Sequence, residues 1–269
     1  MKVRQGKHQI TLARALSKFG VASRVQARLL IRKGGVSVNS RVVRSPDVWI
    51  DPCSDHITLN GKTLVKREPI YLVLNKPAGT VTTRADELAR KTIYDLLPAK
   101  TPWLFPVGRL DMESSGLLIL TNDTKFGEMI TNPSTGIPKV YVVHLDKPLK
   151  HDDCTRLESP VTLEDGTIVL PVIIRPSSGE PKVCEVTIRE GKNRQVRRMF
   201  KVLGYEVVAL KRISIGPVEL GQLPEGEVRK ITGEELRLIT QKRVMATRHD
   251  GATRKGKAPG IKQEKNRFH

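Results

Sequence analysis

The hydrophobic residues near the start of the chain recur with the period of an α-helix. Leu12, Leu16 and Phe19 follow the spacing i, i+4, i+7, which places them on one apolar stripe. Gly20 comes directly after the stripe, at the kind of position where helices commonly end. The pattern therefore predicts a short amphipathic helix over 11–19.

A second helix and a hairpin are predicted directly after the first. Ser23 and Gln26 have the spacing of a capping box, in which each side chain accepts a hydrogen bond from the other residue's backbone N–H. This second helix is expected to run to about Lys33. In the following segment, VSVNSRVV, valines alternate with polar residues and Asn39-Ser40 can turn the chain, so we expect a β-hairpin.

The rest of the chain mixes short apolar runs with stretches of helical spacing. We expect strands at 70–74, 117–120 and 139–149, and near 168–174, 183–189 and 206–213. We expect short helices at 92–97, 124–131 and 233–243, and a further helix whose core-facing side is Val196, Met199, Phe200 and Leu203. Segment 108–116 is expected to be a loop. This mixture predicts an α+β protein with helices flanking a sheet.

Length and charge suggest how these elements divide into domains. The chain has 269 residues and a net charge of +19. Residues 1–65 carry a net charge of +9 and residues 241–269 carry +7, whereas residues 66–240 carry only +3. A field of this sign attracts polyanions. We predict a basic module over 8–59, a polar linker over 60–69, a larger domain over 70–243, and a basic, disordered tail over 244–269.

Composition also restricts the location of the protein. No apolar run reaches the roughly 18 residues that a membrane-spanning helix needs, and the first residues lack a signal-peptide core. The three cysteines, Cys53, Cys154 and Cys184, are odd in number and form no CxxC pair, which argues against a disulfide framework or a structural zinc site. We expect a cytoplasmic protein without membrane contact and without a metal.

Basic residues of the first module fall on a common face. Arg24, Arg28 and Arg32 are spaced i, i+4, i+8, and like charges at that spacing repel each other, which suggests a polyanionic partner. A solvated helix face is the alternative. The predicted RNA-binding residues are Arg14, Lys18, Arg24, Arg28, Arg32 and Lys33.

A candidate catalytic carboxylate lies in the loop between apolar runs. Asp111 neighbours Arg109, whose positive charge favours the ionised form of a carboxylate, and an ionised aspartate can act as a nucleophile or a base. An aspartate that caps a turn through its side chain is the alternative. The residues around Asp111 alone do not decide between these.

Two motif sets resemble known families. Segment 10–59, with FGVASR and GxVxVN, is similar to an S4 RNA-binding domain. The ordered blocks that follow are NKPxG at 75–79, GRLDxxSxGLL at 108–118, KxY at 139–141 and GKNRQVRRM at 191–199. Together they resemble the RsuA family of ribosomal RNA pseudouridine synthases, with an S4 domain before the catalytic domain. The resemblance implies a mixed, mainly antiparallel catalytic sheet.

The resemblance also implies roles for particular residues. Asp111 would be the one essential aspartate, acting by attack at the sugar or base or by removing a ribose proton. Arg197 would pair with Asp111, with Arg109 as the competitor for that place, and Tyr141 would stack on the flipped base. Further contacts with the substrate are expected from Arg109, Lys76, Gln195 and Val196, although structural roles stay open for Lys76 and Val196.

The predicted reaction converts a uridine to pseudouridine in ribosomal RNA without a cofactor. Arg194 stands where many members of the wider superfamily carry histidine, and its Asn-Arg-Gln context favours 23S over 16S rRNA. The partner would be ribosomal RNA or a ribosomal assembly intermediate, and the protein would be a monomer. A non-catalytic S4-type ribosome-assembly protein is the alternative. A methyltransferase is a weaker one, because no glycine-rich motif follows a strand.

Overall fold

The computed structural model describes residues 9–65, 68–83 and 86–241. The predicted tail at 244–269 therefore lies outside the described residues. Within the part of the chain that is described, no helix has both the length and the apolar character needed to cross a membrane.

Two helices form one layer of the N-terminal module. They are α1 (Leu12–Lys18) and α2 (Arg24–Arg32). The predicted capping box is confirmed, because the Ser23 hydroxyl accepts from the Gln26 N–H and the Gln26 side chain accepts from the Ser23 N–H. The apolar stripe of α1 is buried in a small core, as the helical spacing predicts.

Short strands complete the module. They are β1 (Ile10–Thr11), β2 (Val36–Val38), β3 (Arg41–Val42), β4 (Trp49–Ile50), β5 (Ile57–Leu59) and β6 (Lys62–Thr63). One sheet has the order β3-β2-β5-β6, and β1 pairs with β4. Strand β6 corrects the expected linker at 60–69. Asn60 and Gly61 both adopt positive φ, as a tight hairpin turn requires, so the module extends through β6.

The larger domain is built on a mixed sheet. Its strands are β7 (Tyr71–Lys76), β8 (Phe105–Pro106), β9 (Ser114–Thr121), β10 (Lys139–Leu145), β11 (Val161–Thr162), β12 (Ile168–Val169), β13 (Ile173–Pro176), β14 (Val183–Ile188), β15 (Val207–Ile215), β16 (Val218–Glu219) and β17 (Val228–Lys230). The main path is β13-β14-β10-β15-β9-β7-β17, with β16 beside β15 and β8 beside β9; β11 and β12 pair separately.

Helices cover both faces of this sheet. They are α3 (Thr124–Thr131), α4 (His151–Leu157) and α5 (Gln195–Val202), with 3₁₀ turns at Ile93–Leu96 and Pro133–Thr135 and a helical stretch over 233–241. The apolar side of α5 packs into one core, whereas α3 and Ile239 contribute to a second core. The expected α+β class, with a mixed and mainly antiparallel sheet flanked by helices, is confirmed.

The centre of the sheet contains a parallel contact. Strand β15 runs antiparallel to β10 and parallel to β9, with Arg212 opposite both Tyr141 and Gly116. Gly116 has φ +98°, and a Cβ there would lie 2.2 Å from the Arg212 carbonyl oxygen. Only glycine fits so close a backbone approach without a shift.

The strand expected at 139–149 ends at Leu145, and three further elements differ from the sequence expectations. Strand β9 begins at Ser114, because the serines and Gly116 pair with β15, so part of the expected loop 108–116 is strand. The expected strand at 168–174 divides into β12 and β13, which belong to different sheets. The expected helix at 92–97 is a single 3₁₀ turn.

Candidate active site

A cleft of about 350 Å³ opens across the middle of the large sheet. Its walls come from the loop before β9, from β10 and β15, and from the loop before α5. Among the described residues, five basic side chains and one carboxylate, Asp111, line it; the basic residues are Arg109, Lys139, Lys192, Arg194 and Arg212. The charge of the lining suits an anionic ligand such as RNA.

Hydrogen bonds to its backbone carbonyls fix the loop that carries Asp111. The Gly79 N–H donates to the Met112 carbonyl at 2.8 Å, and the Thr82 hydroxyl donates to the Leu110 carbonyl at 2.7 Å. The Ser114 N–H closes a turn on the Asp111 carbonyl at 3.0 Å. Because its backbone is held on both sides, the loop presents the Asp111 carboxylate, which is 29% exposed, in a defined place.

Lys76 lies behind this loop and does not line the cleft. Its side chain is completely buried, and Nζ donates to the carbonyls of Pro77, Met112 and Ser114 at 3.0, 3.3 and 2.7 Å. Burial lowers the pKa of Lys76 to about 8, against the opposing effect of the Asp111 charge. The structure therefore places Lys76 below the Asp111 loop and outside the cleft lining, whereas the sequence predicted a contact with the substrate.

Arg194 bridges two carboxylates at the cleft. Its guanidinium lies 3.0 Å from Glu113 and 3.9 Å from Asp111. Its backbone has φ +47°, an unusual conformation for a residue with a side chain, immediately before α5. Hydrogen bonding with Arg194 and the charges of Arg194 and Arg197 hold the pKa of Glu113 below its usual range.

Arg197 occupies a different place from the one expected. Its nearest carboxylate is Glu113, at 3.9 Å from Nε, and Nη1 donates to the Val207 carbonyl at 2.7 Å. The ion pair that Asp111 makes among the described residues is with Arg194. Arg197 is only 12% exposed, and burial lowers its pKa. The charge of Asp111 still acts on Arg197, as a smaller opposing effect. The expected Arg197–Asp111 pair is therefore replaced by a cluster in which Glu113 joins the two arginines.

Tyr141 and Arg212 form the floor of the cleft. Both are buried, and Arg212 Nη1 donates to the Tyr141 hydroxyl at 3.4 Å. The guanidinium carbon lies 5.9 Å from the centre of the tyrosine ring. Lys139 lines the cleft beside them, and burial, followed by the Arg212 charge, lowers the pKa of Lys139 to about 8.

Gln195 and Val196 line the cleft from the start of α5. The Gln195 side chain donates to Glu190 at 2.8 Å and accepts from the Lys192 N–H at 3.0 Å. Its amide is thus engaged in holding the loop before α5. Val196 is buried with the core-facing side of the helix, as its spacing predicts. Arg109 lines the same cleft and is exposed to solvent.

A second basic surface lies on the N-terminal module. Arg14, Arg24 and Arg28 line a shallow depression beside Trp49, which is 47% exposed. Arg28 also makes a two-point ion pair with Asp47, at 2.9 Å for each bond. Of the other predicted RNA-binding residues, Arg32 and Lys33 are exposed and Lys18 is half-buried, and none of the three lines the depression.

Sequence reasoning missed several of the residues that line the cleft or contact its lining. Glu113, Ser114, Lys139, Arg194 and Arg212 were not expected as site residues. Lys139 shares a motif with Tyr141, and Arg212 interrupts an apolar strand, so both carried a signal. The sequence spacing of Glu113 and Arg194 does not predict their contact, because it joins two distant segments of the chain.

Comparison with known proteins gives similarities for both regions. A family model described as RNA pseudouridylate synthase matches residues 70–201, and the S4 domain model matches residues 11–52. "Ribosomal large subunit pseudouridine synthase B" of Bacillus subtilis (strain 168) is 35% identical over 231 residues, which cover 85% of this chain and 94% of that protein.

Two further similarities agree with these. An "Uncharacterized RNA pseudouridine synthase" of Aquifex aeolicus (strain VF5) is 38% identical over 232 residues, covering 85% of this chain and 92% of the relative. A crystal structure of a pseudouridylate synthase superposes with a TM-score of 0.63 at 31% identity, covering 86% of this chain and 99% of that one.

Proposed function

The chain belongs to the RNA pseudouridylate synthase family, and we propose that it isomerises one uridine of the large-subunit ribosomal RNA, 23S rRNA, to pseudouridine. The name of the Bacillus subtilis relative supports the choice of subunit. The basic surface of the S4 domain and the basic lining of the cleft support an RNA substrate.

The reaction needs one base to leave its stack and one bond to be exchanged. Uracil detaches from C1′ of the ribose, turns, and reattaches through C5. Because the target atoms are inaccessible in stacked RNA, the nucleotide must first be flipped into the cleft. In this proposal Tyr141 stacks on the flipped base.

Asp111 carries the chemistry in this proposal. It is the carboxylate that lines the cleft among the described residues, and the backbone of its loop is fixed by Lys76 and Gly79. As C1′ of the ribose loses the base, the carboxylate can bond to C1′ or remove a ribose proton. Arg194 attracts the Asp111 carboxylate directly, and Arg197 supports Glu113 beside it. The other cleft residues then orient the nucleotide.

The S4 surface would hold the RNA through its phosphates. Arg14, Arg24 and Arg28 are close enough to one another to line one depression. Such contacts give affinity without reading sequence, and they weaken as salt increases. Structured RNA is recognised largely by shape, so this surface would select the region that delivers the uridine.

The observation that carries the proposal is the convergence of Asp111, Arg194, Tyr141 and Arg212 in one basic cleft. The test is release of tritium from [5-³H]uridine in unmodified 23S and 16S transcripts, since the C5 hydrogen must leave when C5 bonds to the sugar. We expect release from 23S rRNA by the wild type and a loss of at least about 10⁴-fold in Asp111→Ala.

RNA affinity should stay within about twofold in Asp111→Ala, because the phosphate contacts are elsewhere. Asp165→Ala is the matched control, since that exposed aspartate pairs with Arg198 outside the cleft. Release from 16S alone would refute the subunit assignment. Full activity in Asp111→Ala would refute the catalytic assignment.

A further inference from the structure

Arg212 is a buried cation that the roles above leave without a chemical task. It is 3% exposed, yet it takes part in none of the ion pairs among the described residues. Burying a charge without a counter-charge is costly unless something else balances it. A charge kept in such a place suggests a negative partner that arrives with the substrate.

The guanidinium is held in one orientation by the protein. Nε donates to the Leu117 carbonyl at 2.7 Å, and Nη1 donates to the Tyr141 hydroxyl at 3.4 Å. The backbone of Arg212 is pressed against Gly116, where a side chain would not fit. These contacts fix the plane of the guanidinium before any ligand binds.

One nitrogen of this fixed group is unused. Nη2 is buried and has no hydrogen-bond partner among the described residues, and Arg212 lines the cleft. The Ser114 hydroxyl, 1% exposed and also lining the cleft, is unpaired as well. Buried polar atoms are normally hydrogen-bonded, and exceptions call for an explanation. Two residues that line one cleft therefore carry polar atoms without a partner among the described residues, and this points to a polar ligand.

We propose that Arg212 Nη2 donates to a carbonyl oxygen of the flipped uracil and stabilises the uracil anion formed when the C1′–N1 bond breaks. This inference rests on the proposed function and adds a catalytic residue to it. Ser114 supplies a second hydrogen bond to the base. Tyr141 lines the cleft and its hydroxyl contacts the Arg212 guanidinium, so it positions the base beside that guanidinium.

The charges balance through the reaction. The electron pair of the C1′–N1 bond stays with the base and spreads from N1 to O2 and O4. C1′ becomes electron-poor as the base leaves. Asp111 compensates either by bonding to C1′ or by removing a ribose proton. C5 then bonds to C1′ as the Asp111–C1′ bond breaks or, in the other route, as Asp111 returns the proton to the ribose. The C5 proton is lost and N1 gains a proton, so the product is an isomer of the substrate. Arg212 acts while the base is an anion.

Leaving-group chemistry distinguishes this role from a structural one. Fluorine at C5 withdraws electrons and makes uracil a better leaving anion, which therefore depends less on stabilisation by the enzyme. The substrate is the shortest rRNA fragment that the wild type modifies, synthesised with uridine or 5-fluorouridine at the target. Single-turnover loss of the starting nucleoside reports cleavage of C1′–N1.

The variants are Arg212→Met and Arg212→Lys, with Arg189→Met as the matched control. Arg189 also donates to a backbone carbonyl, that of Gly136 at 2.8 Å, but does not line the cleft. We expect Arg212→Met to slow cleavage of the uridine RNA by about 10²–10³-fold, as loss of a preorganised donor does elsewhere. On the fluorinated RNA the loss should be at least tenfold smaller.

Arg212→Lys keeps the charge and loses the forked geometry. Its fold-loss in cleavage rate on the uridine RNA should be about a tenth of that of Arg212→Met, and the loss should again be smaller on the fluorinated RNA. It serves as the test if thermal unfolding shows that Arg212→Met does not fold. An equal loss on both RNAs, or no loss, would overturn the proposal and leave Arg212 a structural residue. A target in 16S rRNA would overturn only the subunit assignment, because the Arg212 comparison runs on whichever fragment is modified.

Discussion

The molecule contains two arginine-rich regions that use the same side chain in opposite ways. On α1 and α2, Arg14 and Arg24 are exposed beside a shallow depression. Arg212, in the cleft, is buried, and Arg197, beside it, is only 12% exposed; both donate to backbone carbonyls. Exposed guanidinium groups provide attraction that salt can screen, whereas fixed and buried groups act on one defined atom. The comparison implies that RNA affinity and turnover can be altered by different substitutions.

Among substitutions that leave the charge unchanged, Gly116→Ala should disrupt the structure of the cleft most. The added Cβ would lie 2.2 Å from the Arg212 carbonyl at φ +98°. We expect a loss of about 3 kcal/mol in the free energy of unfolding, from strain and overlap together, with a collapse of activity. Urea unfolding and tritium release measure the two effects.

Its matched control belongs to the other region. Gly61 also has positive φ, +78°, but a Cβ there would meet no atom of the described residues within 4 Å. Gly61→Ala should cost only about 1 kcal/mol of backbone strain and leave turnover unchanged. Similar losses in the two variants would mean that the β9–β15 contact is less tight than described.

The S4 surface should respond through affinity alone. In Arg14→Gln/Arg24→Gln, two phosphate contacts are lost, so RNA affinity should fall about tenfold and the slope of log K against log salt should decrease by about 2. Turnover at saturating RNA should stay at the wild-type value, because the cleft is untouched. Filter binding across a salt series and saturating kinetics measure these quantities.

Arg156→Gln provides the comparison for that experiment, since Arg156 is an exposed arginine of the larger domain paired with Asp153. It should change neither the affinity nor the slope by a comparable amount. If the double variant kept the wild-type slope, the depression on α1 and α2 would not be the phosphate-binding surface.

The smallest predicted effect is a gain in RNA affinity. Asp47 holds Arg28 in a two-point ion pair on the S4 surface, and both side chains are well exposed. Asp47→Asn should free Arg28 for phosphate and raise RNA affinity about twofold, a change on the scale of an exposed ion pair. Asp152→Asn, which makes the same change of net charge on the larger domain, is the control. Equal gains would indicate a general charge effect.

Local signals in the sequence predicted local structure well. The capping box of Ser23 and Gln26 and the core-facing side of α5 are confirmed, because both depend on neighbours within one helix. The Asn60-Gly61 hairpin was predictable from its turn residues and was mistaken for a linker, because the flanking residues are polar. In that segment the turn chemistry was the better guide.

The cleft itself was only partly predictable. Asp111 and Tyr141 follow from the motifs, and both line the cleft. The contact of Arg194 with Glu113 joins loops that are distant in the chain, so no spacing rule reaches it. Lys76 looked like a substrate contact, but its motif does not show that three carbonyl oxygens surround Nζ in the folded chain.

The pairing of β9 with β15 has a consequence for the order of events during synthesis. Ser114 and Leu210 pair across this contact, although most of the larger domain lies between them in the chain. The contacts of the N-terminal module are local by comparison, and local contacts form first. A nascent chain can therefore form the basic surface of its N-terminal module while Asp111 still lacks its neighbours. The proposed RNA-binding surface is thus complete before the cleft is.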